Sequence, residues 1–117
     1  MRSLLIITRQ PPARPAAREA LDVALAAAAF GVPTGILFMD DGVLQLLKGQ
    51  DAEQLQLKAL SANLQALPIF DVEDVMVCHH SMTERGILAN QCMLDARPVS
   101  GSDIPLLLDS YDQVVSL

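Results

Sequence analysis

Three short segments, Leu4–Ile7, Thr34–Met39 and Val75–Val77, constrain this chain more than anything else in it. Their apolar residues run together instead of alternating with polar ones, as in strands buried on both faces. Such strands belong to parallel sheets, in which every step from one strand to the next needs a crossover long enough for a helix. The intervening segments supply those helices. Ala16–Phe30 is dense in strong helix formers, with Pro15 suited to the first helical position and Gly31 and Pro33 ending it. Ala52–Leu67 reads as a second long helix stopped by Pro68. Its apolar stripes are Leu55, Ala59, Ala62 and Ala66, and beside them Leu57, Leu60, Leu64 and Leu67. Ser100-Gly101-Ser102-Asp103 caps a further helix with Pro105 in its first turn, running to about Tyr111. A helical turn is expected at Val43–Leu47, and short strands at Cys92–Leu94 and Val114–Leu117. The prediction is a three-layer α/β/α fold with a mainly parallel sheet of about five strands, spanning residues 1–117 as one domain.

A chain of 117 residues buries roughly two thirds of its unfolded surface, enough for a core without staples. Hydrophobic residues make up 51%, yet there are only three Phe, one Tyr and no Trp, so that core is aliphatic. From Val23 to Phe30 the first helix has no polar face at all. An all-round apolar helix must be covered on every side, and a neighbouring subunit is the natural cover. Ala24, Ala27, Ala28 and Phe30 are the expected interface. The formal charge is −6 and the basic residues form no stripe, which argues against direct contact with nucleic acid. Two cysteines make no disulfide framework and suit a reducing cytoplasm. The apolar runs are too short for a signal peptide or a membrane span, so a soluble, cytoplasmic protein is expected.

Chemistry is best sought in Val75–Gly86, where a strand ends at Cys78 and a short helix starts at once. Open α/β sheets carry their sites at this corner, and unpaired helix N–H groups favour a thiolate. His79 and His80 stand beside the thiol, and either can hold it ionised. The competing reading makes Cys78 a small buried hydrophobe and the histidines loop residues facing different ways. A metal site from Cys78, a histidine and Cys92 lacks any familiar spacing, so none is expected, and Cys92 is read as core packing. Asp40-Asp41 reads as a solvated turn. Gly31, Gly35 and Gly42 form no dinucleotide or phosphate loop, so no cofactor is expected.

Several segments together resemble the TusC/DsrF branch of the DsrE-like sulfur-relay proteins. They are Arg18–Asp22, Ile36–Leu47 with Gly49-Gln50, Val77-Cys78 followed by Ser81 and Glu84-Arg85-Gly86, and Tyr111–Val114. Asp40-Asp41-Gly42-Val43 with Gln45 is the most specific of them. The resemblance implies a DsrE-like α/β subunit that joins TusB-like and TusD-like partners in a heterohexamer. Such complexes pass persulfide sulfur from a TusA-like donor to a TusE-like acceptor, for 2-thiolation of the tRNA wobble uridine. Related complexes serve dissimilatory sulfur oxidation. In the family the sulfur-bearing cysteine belongs chiefly to the TusD/DsrE-type subunit, at the corner that Cys78 occupies here. Two roles follow from the resemblance: a non-catalytic assembly subunit, or a sulfurtransferase subunit whose Cys78 carries persulfide.

Overall fold

The computed structural model of the chain describes residues 2–48, 55–72 and 74–117. Within them, β1 (Leu4–Thr8), β2 (Thr34–Phe38), β3 (Asp74–Cys78), β4 (Arg97–Val99) and β5 (Gln113–Ser116) form one all-parallel sheet. Their order is β4-β3-β2-β1-β5. The connections from β1 to β4 step in one direction across the sheet. Right-handed crossovers therefore place α1 (Pro15–Ala29), α2 (Leu55–Ala66) and α3 (His79–Glu84) on one face. From β4 the chain crosses back to β5 beyond β1. The reversed direction puts α4 (Ile104–Asp109) on the opposite face.

Alternation along each strand divides the apolar residues between the two faces. Ile6, Ile36, Phe38 and Val77 meet α1, α2 and α3, with Leu21, Leu64 and Leu67 packed over them. Leu5, Ile7, Leu37, Met76 and Val99 lie beneath Ile104, Leu107 and Leu108 of α4. Each fully buried Leu or Ile contributes about 1.5–3 kcal/mol. Tyr111 closes this second face. Its hydroxyl donates to Asp74 Oδ2 at 3.1 Å, and its ring lies where a side chain on Gly35 would be. The neighbouring Asp112 fastens the tail to the start of β1, taking the Ser3 N–H at 2.7 Å and the Ser3 hydroxyl at 3.1 Å. Those bonds hold the Asp112 carboxyl below its ordinary pKa, the backbone N–H contributing most.

Two expectations need correction. The first helix was expected to turn Ala24 and Ala28 toward a partner, but both pack inside the subunit's own core. Ala27 is half-buried, and Phe30, just past the helix, is 85% exposed. A helix apolar on every side gives no sequence signal for which side meets the sheet. Here small Ala17, Ala20, Ala24 and Ala28 let α1 lie close, leaving Val23, Ala26 and Ala27 outward of them.

The strand expected at Cys92–Leu94 is the second correction. Ala89–Gln91 forms a 3₁₀ turn, and Cys92 makes a single antiparallel bridge to Leu47, outside the sheet. The fourth strand is instead Arg97–Val99. Pro98 disguises it in sequence, yet the missing N–H costs little on an outermost strand. On the second long helix, Leu60, Leu64 and Leu67 are buried while Ala62 is exposed. The expected helix start at Ala52, the side chains of Leu55, Leu57 and Ala59, and Gly49-Gln50 lie outside the described residues.

Candidate functional site

The carboxyl ends of β1, β2 and β3 meet around a 3₁₀ turn, Asp40–Leu46. Asp40 enters it with φ of +51°, a left-handed conformation that aspartate tolerates better than most residues. Its backbone N–H donates to Ser81 Oγ at 2.9 Å, tying β2 to α3, and its carboxylate pairs with Arg9 at 2.7 Å. Asp41 receives Arg85 through Nε and Nη2 at 3.1 and 3.0 Å, while Arg85 Nη1 reaches the Ser81 carbonyl. Gln45 is fully buried, and its amide donates to Thr8 Oγ1 and the Gln10 carbonyl, both at 2.9 Å. Gly42 presses against the Thr8 carbonyl of β1 so closely that no Cβ fits. Most of these polar groups fasten one element to another around the strand ends. The Asp40-Asp41 turn is thus a joint between elements as well as the solvated turn expected from sequence, the two side chains being 44% and 55% exposed.

Cys78 ends β3 and precedes the first turn of α3. It is paired in register with Val99 and only 3% exposed. Alternation from Met76 sends its side chain toward the face that α4 covers. His79 and His80 are both exposed. His80 turns to Glu84, Nε2 to Oε1 at 3.0 Å, and His79 lines a cavity on the face of α3. That cavity encloses about 440 Å³ among Leu46, Val77, Met82, Ile87 and Cys92, and its wall is mostly apolar. So Cys92 packs against the core, as the sequence suggests, and also lines this opening, while Cys78 lies beneath side chains. Burial raises the pKa of the Cys92 thiol, with a smaller opposing pull from Lys48, which keeps it protonated and a poor nucleophile at neutral pH. Among the described residues no group of three or more His, Cys, Asp or Glu could hold a metal ion. Nor is any helix among them long and apolar enough to cross a membrane.

A model of the DsrE/DsrF-like family matches residues 1–117. A TusC homolog of Pseudomonas aeruginosa is 50% identical over 116 residues, 98% of each chain. The chain belongs to the DsrE/DsrF-like family. A TusC homolog of Aliivibrio fischeri is 37% identical over 98 residues, 84% of this chain and 83% of that one. The crystal structure of the ychN protein from E. coli superposes over the whole of both chains with a TM-score of 0.81; at 20% identity, that is likeness of fold. The residues that carried the DsrE/DsrF-like resemblance in sequence are largely the fasteners described above. Arg18 pairs with Asp22 across one helical turn at 3.3 Å, Asp40, Asp41, Gln45, Ser81 and Arg85 join the strand ends, and Tyr111 and Asp112 secure the tail. Apart from Arg18 and Asp22, which lie within α1, they mark joints of the fold.

Proposed function

We propose that this chain is the TusC-like subunit of a sulfur-relay complex, and that it supplies assembly surface instead of the sulfur-carrying thiol. Its partners are TusB-like and TusD-like subunits in a heterohexamer. The complex passes persulfide sulfur from a TusA-like donor to a TusE-like acceptor, toward 2-thiolation of the tRNA wobble uridine. Kinship with TusC homologs supports the pathway, and the burial of Cys78 is the observation that carries the role. A thiol that accepts and gives up sulfur must be reached by two other proteins' cysteines, and attack requires an accessible thiolate. At 3% exposure, Cys78 meets neither condition in the free subunit. The outward Phe30, Ile69 and Phe70 support the assembly role as apolar surface available to another chain.

The test is Cys78→Ser in the co-expressed complex, with sulfur transfer to the acceptor cysteine followed by mass spectrometry. Assembly and transfer are expected to persist. If the complex forms and transfer is abolished, Cys78 is itself the persulfide carrier and the assembly reading is wrong. Co-purification from the native source separates tRNA thiolation from sulfur oxidation by the partners recovered.

A further inference from the structure

The two ends of the sheet are finished differently. β4 is three residues long and contains Arg97 and Pro98, a charge and a missing N–H of the kinds that discourage pairing at an edge. β5, at the other end, has no proline and no charge, and all four of its residues are exposed. Val114 is 40% exposed and Val115 39%. In register they sit beside Leu5 and Ile6, so Val114 lies on the face of α4 and Val115 on the face of α1. The N–H groups of Gln113 and Leu117 donate inward, to Ser3 and Ile7 carbonyls at 3.0 and 2.8 Å. Because alternate residues of a parallel strand bond the same neighbour, the N–H and C=O groups of Val114 and Ser116 point outward.

The helix above continues this surface. In a right-handed crossover, α1 descends in front of β1 and β2 with Ala17, Leu21 and Ala24 facing the sheet. A turn of 100° per residue then directs Leu25 toward α2, where it packs on the core. It directs Val23, Ala27 and Phe30 the opposite way, past β1 to the side on which β5 lies. Edge strand and apolar flank therefore belong to one wall of the molecule.

We propose that β5 pairs antiparallel with β5 of a second copy of this chain, about a two-fold axis through Val115, to give one ten-stranded sheet. The spacing of the outward groups fits this occupant. In that register Val114 faces Ser116 of the other copy and exchanges both hydrogen bonds with it. Ser116 does the same with the other Val114, so the outward backbone groups of both residues are satisfied in both copies. Val115 faces its own counterpart as the central non-hydrogen-bonded pair, and none of residues 113–116 carries a charge. The axis also sets the two Val23–Ala27–Phe30 flanks facing one another above the joined strands. With α1 about 22 Å long and about 10 Å across, each copy contributes a wall of a few hundred Å². That lies at the small, reversible end of specific interfaces. This contact is between like chains and is independent of the unlike partners proposed above.

The register makes the test position-specific. A non-hydrogen-bonded antiparallel pair holds its Cα atoms about 4.5 Å apart, within disulfide range. Purified Val115→Cys treated with diamide should form a disulfide dimer at least tenfold faster than Val114→Cys, whose opposite residue is Ser116. The parent chain, with Cys78 and Cys92, sets the background. Val115→Lys should raise the dimer dissociation constant at least tenfold in sedimentation velocity while leaving the subunit's Tm unchanged. Equal cross-linking at 114 and 115, cross-linking of Val115→Cys only to a different chain, or unaltered sedimentation of Val115→Lys would each overturn the proposal. Loss of the unlike partners without loss of the 115–115 cross-link would count against the sulfur-relay assembly alone.

Discussion

Gly42→Ala is the most demanding test of how the strand ends are joined. An ideal Cβ at position 42 would overlap the Thr8 carbonyl oxygen, and would stand 2.8 Å from its carbon and 3.2 Å from Arg9 Cα. All three atoms are backbone, so no side chain can swing aside. The Thr8 carbonyl cannot retreat freely either, since it accepts the Met39 N–H at 3.1 Å. Gly42 is held in turn by its own N–H on the Met39 carbonyl at 2.8 Å. Relief must separate the turn from β1, which stretches the Gln45 bonds to Thr8 and Gln10. Overpacking costs about 1–3 kcal/mol where neighbours can give. Loss of a buried hydrogen bond adds about 1 kcal/mol each. The expected penalty is about 3 kcal/mol or more, a Tm lower by roughly 10 °C. Urea and thermal unfolding measure it, with Gly101→Ala, whose Cβ meets nothing within 4 Å, as the control expected within about 0.5 kcal/mol of the parent. A Gly42→Ala loss below about 1 kcal/mol would refute the steric account of this joint.

Gln45→Leu keeps the shape of the buried side chain but strips Thr8 Oγ1 and the Gln10 carbonyl of their donor. A loss of about 1–3 kcal/mol in urea unfolding is expected, and no loss would show that the amide does not hold the joint. Ala28→Asp should abolish folding or lower Tm by roughly 10 °C or more, because it buries a charge in the core. Phe30→Asp should leave subunit Tm nearly unchanged and weaken association with partner chains in size-exclusion chromatography; the reverse pattern would mean that α1 is misoriented. For Asp112 the sign follows from its depressed folded pKa. Its contribution is present above the ordinary carboxylate value of about 3.8 and is lost as pH falls through the lower folded value. Asp112→Asn should therefore lower Tm at pH 7 by an amount that shrinks at pH 3, and a deficit that stays constant over that range would discount the Ser3 clasp.

Much of the fold was legible because strands buried on both faces write continuous apolar runs, as Leu4–Ile7 does, and glycine and proline mark the helix ends. The fourth strand was not, because an outermost strand needs only one hydrogen-bonded side and can carry Arg97 and Pro98. Orientation of α1 was hidden by uniform apolarity: Ala24 and Ala27 look alike in sequence but differ in burial. At the candidate site, the corner holding Cys78 could be located from the end of an apolar run. Its burial could not, since β4, whose Val99 pairs with it, is itself hidden in the sequence. The joint formed by Arg9, Asp40, Asp41, Ser81 and Arg85 was equally hidden. Its residues lie far apart in the chain, and each looks like ordinary surface polarity until β1, β2 and α3 converge.

The position of β1 between β2 and β5 bears on how the chain comes to be folded. One neighbour is encoded soon after β1, the other only after α1, α2, α3 and α4 have all been made. Until residues 113–116 arrive, Ile6 and Leu5 border a strand with one side bare, and Ser3 has no aspartate to hold it. A growing polypeptide therefore carries one open edge of β1 through most of its synthesis.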